Sequence, residues 1–168
     1  REWHKTQIGD IENLKKEYVI SHFESMQVQR APGLTCLTAL SSKTLGTTEN
    51  PINNSKGCGT IMRIAPIAFM NYWRGNYTLE DIFEIAVKNS ALTHGHQVAW
   101  LASGFFVVFL RLLIEEKLEE IYDNKIEDLI EASLDILKIS NYSEEHKNTV
   151  ILSVRNAIEL SKKTERVL

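Results

Sequence analysis

Residues 98–114 make up the most hydrophobic run of the chain, and they constrain the fold more than any other stretch. The run is short for a membrane span, carries Arg111, and has Ser103 and Gly104 in its middle, so it reads as a helix inside a protein. A helix that is apolar on nearly all sides is stable only when other helices surround it. At 168 residues, with 43% hydrophobic and 24% charged side chains, the chain has material for one soluble core of that kind. No stretch shows the alternation and turn spacing of a sheet protein, so the expected fold is all-α, a single multi-helix domain over 1–168. A formal net charge of −3 leaves no basic field for nucleic acid, and no membrane partner is expected. Cys36 and Cys58 follow no C-x-x-C spacing, which suggests neither a zinc site nor a disulfide framework and fits a reducing, cytoplasmic setting.

The surrounding helices are expected in the following order. Residues 1–7 suit the end of a helix, with Trp3 as its apolar anchor and Gly9 as its stop. A second helix is expected from Asp10, with Ile11, Leu14, Tyr18 and Met26 near a 3.6-residue period, ended by Pro32. Leu34, Cys36, Leu37 and Leu40 suit a short buried helix entered at Pro32, and a long polar loop follows over 41–56. Residues 60–73 suit a mostly buried helix that Pro66 kinks or restarts, with Gly75 as its stop. Thr78 and Asp81 make a capping pair for a helix whose inner face is Ile82, Phe83, Ile85, Ala86 and Leu92, and which ends at Thr93-His94-Gly95-His96. Beyond the core run come an acidic segment over 115–122, a helix over 126–137 with Leu129, Leu134 and Leu137 on one side, and a last helix capped by Ser143.

Chemistry is expected where the polar loop enters the 60–73 helix. There Gly57 and Gly59 allow close backbone approach, and a helix start after Thr60 would offer free N–H groups and a positive dipole to an anion such as phosphate. The same glycines also suit a plain surface turn, because G-x-G-x-x-G is not completed and Lys56 precedes Gly57 instead of following it. Arg63 reads either as a phosphate ligand or as the partner in a buried ion pair. Cys58, beside a helix start, is placed for a thiolate nucleophile. His94 and His96 at a helix junction suit capping, donation to a ribose or phosphate oxygen, or a shared metal ion. A metal-dependent amidohydrolase built on the two histidines would need a β/α barrel, which this sequence lacks.

Three blocks carry a resemblance: Gln29-Arg-Ala-Pro-Gly-Leu-Thr-Cys-Leu-Thr-Ala-Leu40, Asn53-Asn-Ser-Lys-Gly-Cys-Gly-Thr-Ile-Met-Arg-Ile-Ala-Pro66 and Ala91-Leu-Thr-His-Gly-His96. In order and spacing they resemble the ADP-ribosylglycohydrolase family. The resemblance implies an all-α hydrolase that uses two magnesium ions to cleave the bond joining ADP-ribose to a protein side chain. It implies that Asn54, Ser55, Gly57, Cys58, Gly59 and Thr60 hold the pyrophosphate and nearby ribose, supported by Met62 and Arg63, with Thr93 and His94 near the nucleotide. The partner it implies is an ADP-ribosylated protein or free ADP-ribose. The family's Thr-Asp-Asp-Thr and Asp-x-Asp-Thr metal motifs do not occur in this chain. The sequence therefore reads as the central segment of a family member, truncated at both ends and without the magnesium ligands. As an isolated chain it is expected to be inactive, the alternative being a catalytically inactive ADP-ribose-binding or interaction module. Missing helices would leave apolar surface to be covered by a homo-oligomer or by flanking segments.

Overall fold

The computed structural model describes residues 1–70, 75–116 and 123–164, and it contains no strand among them. The α-helices are α1 (Glu2–Ile8), α2 (Leu34–Ser41), α3 (Ile61–Ile64), α4 (Leu79–Ala91), α5 (Gln97–Glu115), α6 (Asp123–Ile139) and α7 (Glu144–Thr164). Short 3-10 turns occupy Val19–Ser21, Glu24–Met26 and Ala65–Phe69.

Helix α5 is the hub, as its composition requires. It packs against α4, α6, α7 and the 3-10 turn after α3. Two apolar clusters meet on it: Trp100, Leu101 and Val108 pack with Phe83, Leu134, Leu137 and Val150, while Val107 packs with Ile64, Ala68, Ile82 and Ala86. At 19 residues α5 is long and apolar enough to cross a membrane by length and composition, contrary to the reading that it is too short. Its burial among three other helices accounts for its composition without a bilayer. The polar residues in the run are satisfied locally. Ser103 Oγ donates to the Ala99 carbonyl at 2.9 Å, and Arg111 reaches Glu115 and the Ala68 carbonyl. Gly104 has a packing reason, since a Cβ there would stand 2.5 Å from a ring carbon of Phe83. It is what lets α4 and α5 approach.

The cap of α4 follows sequence logic. Thr78 accepts from the Asp81 N–H while the Asp81 carboxylate accepts from the Thr78 N–H, a complete capping box. Lys147, buried in the first turn of α7, donates to the carbonyls of Lys138 and Ser140 at 2.8 and 3.0 Å and pairs with Glu144. It thus ties off the orphan carbonyls at the end of α6.

The N-terminal third departs from the expectation. The helix expected from Asp10 is absent; turns and the two 3-10 pieces stand in its place, with Tyr18, Val19, Phe23 and Met26 exposed. The apolar positions there have no helix to pack against, so periodicity alone does not hold a helix together. Helix α1 forms and stops at Gly9, whose φ of 80° is the left-handed cap. Its anchor is not Trp3, which is 40% exposed, but the buried pair Thr6 and Gln7. Gln7 donates to the Val28 carbonyl and accepts from the Arg30 N–H, fastening the irregular segment to α1. Helix α2 forms where expected, yet only Ala39 in it is buried and Leu34 is 78% exposed. The helix expected over 60–73 is split at Pro66 into α3 and a 3-10 turn, and Trp73 lies outside the described residues. Most of the acidic segment over 115–122 also lies outside them.

Candidate functional site

The polar loop and the α4–α5 junction are built against each other. Asn53 is the join: its Nδ2 donates to the Thr93 carbonyl at 2.8 Å, and its Oδ1 accepts from the Gly95 N–H at 2.8 Å and from the Ser55 N–H at 3.0 Å. The Asn53 carbonyl lies so close to Gly95 that a Cβ there would be 1.7 Å from it, so only glycine fits. The His96 N–H adds a contact to the Ser55 carbonyl at 3.4 Å.

His94 sits inside this join, 2% exposed. Its Nδ1 is 2.9 Å from Thr93 Oγ1, and its carbonyl accepts from the Trp100 indole. The two loop glycines lie against its ring: a Cβ on Gly57 would be 3.2 Å from His94 Nε2, and one on Gly59 would be 3.4 Å from Cε1. The glycines therefore make room for an imidazole. Burial first, and then the neighbouring Arg63, push the His94 pKa below its ordinary value, so the ring is held neutral. His96 has a different task. Its Nδ1 accepts from the Val98 N–H as the N-cap of α5, and its ring meets His146 edge-on at 4.9 Å. His94 thus has its Nδ1 on Thr93 and His96 has its Nδ1 on the cap, so the two junction imidazoles are engaged with different partners.

Arg63 on α3 is half-buried and makes no ion pair with a carboxylate among the described residues, which sets aside the buried-ion-pair reading. Its Nε donates to Asn89 Oδ1 at 3.2 Å, its Nη2 to the Asn89 carbonyl at 2.9 Å, and its Nη1 lies 3.7 Å from Cys36 Sγ. A guanidinium has five N–H groups, so some remain for a ligand.

These groups open onto a cleft of about 790 Å³. Of the residues expected from sequence, Gly57, Cys58, Gly59, Met62, Arg63, Thr93 and His94 line it; Asn54, Ser55 and Thr60 do not. Asn54 is exposed beside it. Ser55 Oγ is used within the loop, accepting from the Gly57 N–H at 3.2 Å and lying 3.3 Å from Thr35 Oγ1. Thr60 is fully buried, and its hydroxyl has no hydrogen-bond partner among the described residues. Helix α3 has only four residues, so the dipole expected after Thr60 is small. Cys58 is exposed, with its Sγ 3.9 Å from Met62 Sδ, and among the described residues no base is hydrogen-bonded to it.

Sequence reasoning missed Asn53, Cys36, Asn89 and Arg30. Asn53 had a signal, since Asn-x-Ser in a loop is an Asx-turn pattern, and the Ser55 N–H bond is that turn. Asn89 and Cys36 had none, because only the packing of α2 and α4 brings them to Arg63. The cleft is lined by Arg30, Arg63 and His94 and by no Asp or Glu. Its donors do not fit magnesium, which takes several oxygen ligands converging on one point, and no group of three or more His, Cys, Asp or Glu among the described residues could hold a metal ion.

A family model described as ADP-ribosylglycohydrolase matches residues 1–167 of the chain. No curated protein and no solved structure matches it.

Proposed function

The chain belongs to the ADP-ribosylglycohydrolase family, and from that premise we propose that its cleft recognises the pyrophosphate and adjoining ribose of ADP-ribose, free or attached to a protein side chain. The observation that carries this is electrostatic. In a chain of net charge −3, the cleft that holds the glycine loop is lined by Arg63, Arg30 and His94 and by no carboxylate, with Arg30 Nη2 also donating to the Ser25 carbonyl at 2.8 Å. A pyrophosphate suits such a site, because guanidinium N–H groups bind phosphate oxygens through charge-assisted bonds. Arg63, held in place by Asn89, would take a phosphate oxygen. In the tautomer in which the Thr93 hydroxyl donates to Nδ1, His94 would carry its proton on Nε2 and donate it to a ribose or phosphate oxygen. Gly57 and Gly59 leave room for the His94 ring at the edge of the cleft.

In the family, magnesium supplies the activated water and polarises the ribose. The donors of this cleft do not fit that ion, so we assign the cleft to recognition, and we expect no hydrolysis by this polypeptide alone. That misfit also favours the second reading, an ADP-ribose-binding module without turnover. Calorimetric titration should show ADP-ribose binding more tightly than AMP. Incubation with ADP-ribosylated arginine or serine peptides and magnesium should release no ADP-ribose. Absence of ADP-ribose binding would overturn the recognition reading; magnesium-dependent release would show catalytic carboxylates that the cleft does not reveal.

A further inference from the structure

Resting on that reading of the cleft, we infer that Asn53 is the positioning residue of the site: without touching the ligand, it fixes the glycine loop and His94 as one unit. Asn53 does not line the cleft. Yet of the hydrogen bonds that join the loop to the α4–α5 junction among the described residues, the two at 2.8 Å both run through its side chain, and the remaining one, from the His96 N–H to the Ser55 carbonyl, is 3.4 Å long. The same Oδ1 also accepts from the Ser55 N–H, which sets the turn leading into Gly57.

The chemistry singles out an amide. The site needs a donor toward the Thr93 carbonyl and an acceptor toward two N–H groups, and a neutral side chain of this length that supplies both is asparagine. The consequence reaches the ligand groups through packing. The His94 ring is bounded on one side by Thr93 and on the other by the Gly57 and Gly59 backbone, so its position follows the loop. Gly95 completes the device, since no side chain there could coexist with the Asn53 carbonyl.

An ionised aspartate at this position keeps the acceptors but turns an oxygen against the Thr93 carbonyl; a protonated one restores the donor. The test compares the parent, Asn53→Ala and Asn53→Asp chains by ADP-ribose titration, by the imidazole nitrogen resonances of His94 without ligand, and by thermal melting. Asn53→Ala should shift the His94 resonances and weaken ADP-ribose binding by about tenfold, the effect of one or two lost hydrogen bonds. Asn53→Asp should do the same at neutral pH and recover, relative to the parent at the same pH, as the carboxylate is protonated; a residue with a merely structural role would leave the His94 resonances of the folded variants unshifted. Unshifted His94 resonances together with parental affinity in Asn53→Ala would overturn the inference. If Asn53→Ala fails to fold, Asn53→Asp followed across pH decides it, and the lack of recovery there overturns it. Should the parent itself not bind ADP-ribose, the ligand reading falls, while shifted His94 resonances in the two variants would still establish the positioning role.

Discussion

An added methyl at Gly57 would meet His94 Nε2 at 3.2 Å and Ser55 Oγ at 3.3 Å, whereas one at Gly59 finds ordinary contact distances. Gly57→Val should therefore displace the imidazole and weaken ADP-ribose binding more than Gly59→Ala does, as titration of both variants would show. Equal effects would mean that the ring is not held by the loop. The histidines also set a pH dependence. His94 is pushed below its ordinary value of 6.5 by burial and then by Arg63; His96 is pushed down by burial and then by Lys56 and His146, with Glu145 opposing. A group whose folded pKa is depressed binds more protons when unfolded, so its stabilising contribution is full above 6.5 and is lost as pH falls through the folded value. Urea midpoints should hold steady above neutral pH and decline on acidification toward pH of about 5, the range in which histidines titrate. Replacing His96 by Asn, which caps without titrating, should flatten part of that decline. At this scale the sequence showed the glycines, Arg63 and His94 but not their reason. A glycine that leaves room for a buried ring looks the same in a sequence as one that leaves room for a ligand.

Among the elements, the α4–α5 contact is the most sensitive. Gly104→Ala would gain roughly 1 kcal/mol of helix propensity. Against that, its methyl would stand 2.5 Å from a ring carbon of Phe83, which is itself buried and closed in by its cluster, and overpacking of this kind costs about 1–3 kcal/mol. The clash should win, and chemical denaturation of Gly104→Ala should show a net loss. Lys147→Met tests the other end of the bundle. It removes the donor shared by the Lys138 and Ser140 carbonyls at the end of α6 and should cost about 2 kcal/mol, in keeping with leaving partly buried acceptors unpaired. Parental stability in that variant would show that water takes over both carbonyls. Sequence reading succeeded for α4, α5, α6 and α7 because each has an amphipathic or apolar face and a partner helix to bury it. It failed over residues 10–30, where the same apolar spacing has no partner surface and the backbone takes turns instead.

For the whole molecule, the apolar side chains of that irregular segment bear on its solution state. Val19 is 65% and Phe23 54% exposed, with Tyr18, Met26 and Val28 exposed near them in sequence. Apolar side chains exposed in such number, where they join into one patch, are usually covered. The chain is expected to self-associate, and polar replacement of Val19 and Phe23 together should reduce the associated fraction in light scattering. A monodisperse parent that binds no apolar dye would count against this. What the sequence by itself determined is the fold class, the hub helix, the capping box at Thr78 and the family, because these rest on local composition, on short-range hydrogen bonds and on blocks whose order survives without coordinates. What only the tertiary structure decided is that Asn53 joins loop to junction, that among the described residues Asn89 and Cys36 rather than a carboxylate attend Arg63, and that no carboxylate lines the cleft. Those contacts link residues 26 to 42 positions apart, and a separation of that kind acquires an energy only once the helices between have packed.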